Sequence, residues 1–216
     1  VMKNSRVKES KKKIALAKSI LNLSTTSKLV ITTNYDCIIE ELLELDDKKR
    51  KEFDLNNINQ VMRSNNDPKE LTLLKLHGTI EKKAGCDVNI IFTETEYDRH
   101  YFANRNDLNY KNKTEGLGSI NLNCPLPQFL YTCASSNCFL FIGCSLEQDR
   151  TLDVFKELQE KWRPKNPSYA FLEFQNNEHL ERKEKELDKA GIEVIWYETG
   201  KHEQIEGLVK KLTEAM

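Results

Sequence analysis

Apolar residues fall in two regimes along this chain. Short continuous runs of β-branched and apolar residues suit strands covered on both faces, whereas apolar residues recurring every three or four positions among Lys and Glu suit amphipathic helices. Residues 8–23 set Ile14, Leu16, Ile20 and Leu21 among lysines and read as a helix. Residues 28–33 carry Leu29-Val30-Ile31-Thr32-Thr33 and read as a strand. A helix over 37–45 follows, with Asp36 as its N-cap. Residues 46–70 lack a pattern and predict a loop that holds one short helix at most. A second strand over 71–76 ends at His77-Gly78, and a third, short strand is expected over 88–92. Residues 93–102 predict a helix, 104–123 a polar Asn- and Lys-rich stretch suited to a lid or disordered loop, and 127–135 a further helix.

The last third is the most regular. Strands over 138–144, 169–174 and 192–197 alternate with helices over 149–161, 177–189 and 202–212. Such alternation implies right-handed βαβ units and a parallel sheet. The predicted fold class is therefore α/β: a Rossmann-like, doubly wound, mainly parallel sheet of five or more strands with helices on both faces. A single domain over 1–216 is expected, with residues 93–136 as a candidate lid or small subdomain insert.

Composition narrows the partners. With 33 basic and 34 acidic residues the formal net charge is −1, which gives no electrostatic case for nucleic acid or an anionic membrane. The lysines and arginine between Lys3 and Lys13 read as a solvated helix face. No run of 18 apolar residues and no signal peptide is visible, so a cytoplasmic protein without a membrane partner is expected. The six cysteines, Cys37, Cys86, Cys124, Cys133, Cys138 and Cys144, form no CxxC pair; buried thiols in a reducing compartment explain them, and no metal is expected.

In an open α/β sheet, ligands bind beyond the C-terminal ends of the strands. Those positions carry Thr33, Asn34 and Asp36 after the first strand, His77 and Gly78 after the second, and Gly143, Ser145 and Asp149 after the strand over 138–144. Each has an ordinary structural reading: Asn34 and Asp36 can cap a helix, His77 can be a satisfied core residue, and Gly143-Cys144-Ser145 can be a tight turn. Together they place amide, carboxylate, imidazole and hydroxyl groups where a ligand would sit.

These segments resemble sirtuins. Thr32-Thr33-Asn34-Tyr35-Asp36 is similar to the strand-end Asn-x-Asp motif, Leu76-His77-Gly78 to the His-Gly motif, and Gly143-Cys144-Ser145-Leu146 to the Gly-x-Ser-Leu motif that contacts the dinucleotide, in matching order. Over roughly residues 28–200 the segments TTNYD, LHGTI, FTETEYDRHY and FIGCSLEQD resemble most the bacterial sirtuin-like proteins of anti-phage defence, which consume NAD. Three departures stand out. The four-cysteine zinc module of the deacetylases has no counterpart, and Thr33 stands where they commonly have Gln. The Gly-rich phosphate loop is missing as well, because no glycine precedes Gly78. The chain begins at Val1 rather than Met, and the expectation is that the full gene encodes roughly 50 or more residues upstream, with a strand and a Gly-rich turn.

The resemblance implies NAD as a substrate, no metal, and NAD glycohydrolysis as the reaction. His77 would be the base, since an imidazole titrates near neutrality. Asn34 would hold the ribose hydroxyls or the attacking water, and Asp36 would orient its neighbours or stabilise developing positive charge. Thr33, Asn34, Gly143, Ser145 and Leu146 would bind the cofactor. Protein deacylation or ADP-ribosyl transfer is the alternative chemistry, and a non-catalytic nucleotide-binding or assembly subunit the alternative class. A free-standing NAD hydrolase endangers its own cell, so control through homo-oligomerisation or a regulatory partner protein is expected.

Overall fold

A computed structural model describes residues 17–21, 29–45, 50–53, 71–79, 90–101, 124–147, 150–164 and 167–215. The chain divides into two compact units, Val1–Ile90 with Lys201–Met216, and Ile91–Gly200.

In the first unit, strand β1 (Leu29–Thr32), helix α1 (Ile38–Leu45), β2 (Arg50–Phe53) and β3 (Leu71–Lys75) follow in order, and the returning helix α6 (Glu203–Ala215) closes the chain. The sheet is fully parallel with order β1-β3-β2. Thr32 pairs with Lys75 and Phe53 with Leu74, so β1 and β3 end level with each other. β3 lies in the middle, and Thr72 through Gly78 are all buried, as a strand covered on both faces requires. Leu73 joins Ala17, Leu21 and Leu42 in one core cluster, with Val30, Ile38 and Ile39 packed against it. Residues 17–21 are helical; the rest of the expected 8–23 helix lies outside the described residues.

Strand β2 falls inside the stretch expected to be a loop. Its sequence, Arg-Lys-Glu-Phe, shows no apolar run, but it ends the row of described strands, where a strand needs only one backbone partner and tolerates charge. Residues 46–49 and 54–70 lie outside the described residues.

The second unit contains α2 (Glu94–Tyr101), α3 (Pro125–Ser136), β4 (Leu140–Phe141), α4 (Arg150–Trp162), β5 (Ser168–Glu173), α5 (Asn177–Asp188) and β6 (Ile192–Tyr197). Its sheet is parallel with order β4-β5-β6. Along β5, Ala170 and Leu172 turn to a core built with Leu152, Phe155 and Leu158 of α4 and Leu187 of α5. Phe171 points to the opposite face and is equally buried, so this central strand is covered on both sides.

The α/β class and parallel pairing are as expected. The single sheet of five or more strands is not: the described residues form two three-stranded sheets. The strand expected over 138–144 shrinks to Leu140–Phe141, and on its C-terminal side Gly143 leaves the extended conformation for left-handed backbone (φ +73°). Residues 90–92 are not a strand either. The amides of Phe92 and Thr93 donate to the Glu96 carboxylate at 2.9 and 2.8 Å, and the Glu96 amide donates to Thr93 Oγ1 at 3.3 Å. This reciprocal capping box starts α2 and consumes the donors a strand would need. Helix α3 begins two residues earlier than expected, since prolines in a first turn preset φ without losing a hydrogen bond. The candidate lid over 104–123 lies outside the described residues.

Candidate functional site

Each strand-end segment has its own local geometry. After β1, Thr33, Asn34 and Asp36 are exposed. The Asn34 amide donates to Thr32 Oγ1 at 3.1 Å, and the Asp36 carboxylate accepts from the Ile38 amide at 3.1 Å. Asp36 therefore caps α1, as its position predicts. The Asn34 side chain belongs to the exposed segment just after the strand.

After β3, the chain turns at Leu76-His77 and passes Gly78 at φ +85°, a left-handed position suited to glycine. His77 is only 4% exposed. This burial fits the ordinary reading of a core histidine as well as that of a shielded base, and a truncation to Ala would leave a void as well as remove the imidazole. Because β1 and β3 are parallel neighbours that end level, Asn34 and His77 follow adjacent strands at the same end of one sheet. The sequence order alone, with 42 residues between them, does not require this.

Sequence reasoning missed what lies beneath this segment. Lys75, on the same face of β3 as Leu73, is 1% exposed and pairs with Glu40 of α1 at 3.0 Å. Its ammonium also donates to the Asp36 carbonyl. Thr79 adds a second tie, donating from Oγ1 to the Tyr35 carbonyl at 3.3 Å and lying 3.5 Å from Cys37 Sγ. A lone lysine inside the apolar run Leu73-Leu74-Lys75-Leu76 is the available signal, because a buried ammonium needs a carboxylate partner.

In the second unit, Gly143, Ser145 and Leu146 follow β4. Gly143 is exposed, and an added Cβ would meet nothing within 4 Å, so the main chain there is open to close approach by a ligand. Ser145 is exposed, and its hydroxyl accepts from the Glu147 amide at 3.4 Å. Leu146 differs from the expected ligand contact: its side chain is 1% exposed in the core cluster, so only its main chain can face a ligand. Its left-handed backbone costs about 1–2 kcal/mol, and burial of the leucine side chain contributes about 1.5–3 kcal/mol, enough to hold the strained turn. The Leu146 carbonyl accepts from Lys183, again a buried lysine. Beside it the carboxyl of Glu147 is held below its ordinary range, first by the Arg182 hydrogen bond and then by the Lys183 charge.

No group of three or more His, Cys, Asp or Glu side chains suited to a metal occurs among the described residues. The cysteines are individual: Cys138 is exposed, whereas burial pushes the Cys133 thiol up to about 11. At pH 8 such a thiol holds a thiolate fraction on the order of a hundredfold below that of an ordinary cysteine. Iodoacetamide at pH 8 is therefore expected to alkylate Cys138 quickly and leave Cys133 unmodified, as read by peptide mass spectrometry; equal labelling would contradict the burial of Cys133.

Among known proteins, a family model for the SIR2-like domain matches residues 28–195, which spans all three strand-end segments. No curated protein matches the chain.

Proposed function

Because the chain belongs to the SIR2-like family, we propose that it is an NAD+ glycohydrolase that cleaves the bond between nicotinamide and ribose. SIR2-like domains use NAD as a substrate. The observation that carries the reading is the placement of Asn34 and His77 after neighbouring parallel strands at one end of the sheet, where α/β folds bind their ligands.

In the proposed reaction the C–N bond breaks and its electron pair leaves with nicotinamide, which neutralises the pyridinium ring. The leaving group needs no acid. The sugar passes through an oxocarbenium-like state, a water oxygen bonds to the anomeric carbon, and its proton passes to His77. The enclosure of His77 suits a base that must be shielded from bulk water. Asn34 holds the ribose hydroxyls or the attacking water through its amide. Asp36, committed to the α1 cap through one oxygen, fixes the segment that presents Asn34 and supplies negative charge near the developing cation. In the first unit Thr33 is the further candidate contact to the nucleotide; in the second, taken by itself, the candidates are the Gly143 main chain, Ser145 and the Leu146 main chain.

We assign the protein to bacterial anti-phage defence as a depleter of NAD, held in check by homo-oligomerisation or a partner protein. The lack of paired cysteine spacing disfavours the zinc-supported deacylase reading. Incubation of the purified protein with NAD separates the classes. Release of nicotinamide and ADP-ribose without any acceptor is expected. Turnover only with an acyl-lysine peptide or a protein acceptor would replace hydrolysis by transfer, and no turnover together with NAD binding would leave a non-catalytic binding subunit.

A further inference from the structure

Two of the three strand-end segments share a device that their sequences do not show. Lys75 and Lys183 are each 1% exposed, and each directs its ammonium at a main-chain carbonyl of a strand-end turn: Asp36 in one case and Leu146, at 2.9 Å, in the other. Each is neutralised by acidic side chains. Lys75 has Glu40 at 3.0 Å, and Lys183 has Glu186 at 3.2 Å and Glu147 at 3.7 Å. A lysine needs no burial to be neutralised; a carboxylate at the surface would serve. Burying the long side chain costs rotamer freedom and desolvation, which a surface ion pair avoids. Burial is instead the geometry required to reach a carbonyl from beneath its loop.

The two carbonyls are also well chosen. Asp36 belongs to the turn that presents Asn34, and Leu146 is the residue in left-handed backbone directly after Ser145. Neither carbonyl lies in a regular strand. A charge-assisted hydrogen bond from the protein interior fixes the turn while leaving its outer face to a ligand.

We propose that Lys75 and Lys183 are positioning residues, clamps that hold the main chain of the Asn34 and Ser145 turns in the conformation that receives substrate. The inference rests on the reading of these turns as the NAD-binding turns.

The test uses two variants that differ in their buried charge. Lys183→Met leaves Glu147 and Glu186, which are 50% and 29% exposed, in contact with water, so it removes the clamp without stranding a buried anion. Lys75→Met is made together with Glu40→Gln for the same reason, since Glu40 is itself buried. Thermal melts, amide hydrogen exchange of the 34–37 and 144–147 segments, and kcat and KM for NAD are then compared with the unaltered protein. Near-native melting is expected for both. Exchange should rise about tenfold or more in the turn facing the altered lysine and not in the other, the scale of one lost charge-assisted bond. Turnover should fall by a similar factor, with Lys183→Met acting mainly on KM. Unchanged exchange at the facing turn in Lys183→Met overturns the clamp, whatever the outcome for the double variant. Unchanged exchange at 34–37 and unchanged turnover in Lys75→Met/Glu40→Gln reduce Lys75 to half of a structural ion pair and overturn its positioning role. If the unaltered protein does not consume NAD, the functional reading fails, while the exchange measurements still decide the clamp.

Discussion

Exchanging His77 for glutamine is expected to lower NAD cleavage by roughly 100-fold or more, the usual contribution of a positioned general base. Glutamine is the better probe here than alanine. His77 is enclosed, so alanine would open a void and mix a packing loss with the chemical one. Glutamine keeps most of the volume and can still hydrogen-bond, but it cannot take up a proton near neutral pH. Asn34→Ala should cost a comparable factor for a different reason. Asn34 is exposed, so its loss changes little packing and removes an amide that holds ribose or water. The two variants should therefore part company in stability, with Asn34→Ala melting like the unaltered protein and His77→Gln slightly below it. Initial rates of nicotinamide release, with circular dichroism to confirm folding, make the comparison. Near-normal turnover in either variant removes that residue from the mechanism.

Much of this arrangement is legible in the amino-acid order because local preference and tertiary role agree. The apolar and β-branched run Leu29-Val30-Ile31-Thr32 favours a strand and forms one, and Asp36 follows it where a helix cap belongs. Helices α4, α5 and α6 lie within three residues of their expected bounds at either end, because their apolar residues keep a helical spacing. Most of the failures share a cause: they depend on a partner far away in the chain. Arg50–Phe53 is a strand because β3 offers it a ladder, not because of its own residues. Lys75 is interior because Glu40, 35 positions earlier, meets it. Lys183 looks like any surface lysine of a charged helix until the Leu146 carbonyl is found over it. Residues 90–92 fail for a local reason instead: they have the composition of a strand, but the Glu96 carboxylate takes the amides of Phe92 and Thr93. That Asn34 and His77 follow strand ends is readable from position alone, whereas the enclosure of His77 and the left-handed turn at Leu146 are products of packing.

The largest loss of stability is expected from Phe155→Ala. Phe155 is 2% exposed on α4, and its ring meets Phe139 and Phe141 edge-on, with centroids 5.0 and 5.2 Å away. Those two phenylalanines flank and form β4, a strand of only two residues whose ladder to β5 joins just Leu140 to Tyr169 and Phe141 to Ala170. Beyond it, the Tyr169 amide donates to the Phe139 carbonyl at 2.8 Å and the Phe139 amide to Ser168 Oγ at 3.1 Å; so short a pairing still needs side-chain packing, and the aromatic trio supplies it. Truncating a buried Phe to Ala costs about 3–5 kcal/mol, and the edge-to-face contacts put this site toward the upper end of that range. Against a total stability of about 5–15 kcal/mol, that is a large share of the whole. For a chain of this length each kcal/mol lowers the melting temperature by roughly 2–4 °C, so a drop on the order of 10 °C is expected. Phe155→Leu, which keeps most of the apolar volume, should lose far less. The consequence reaches the site, because β4 runs directly into Gly143 and the left-handed Leu146, whose strain is tolerated only while this core is intact. Amide exchange in residues 140–146 should therefore rise in Phe155→Ala well below its melting temperature. A Phe155→Ala protein that melts within about 2 °C of the unaltered one, with exchange at 140–146 unchanged, would show that something other than the aromatic trio anchors β4.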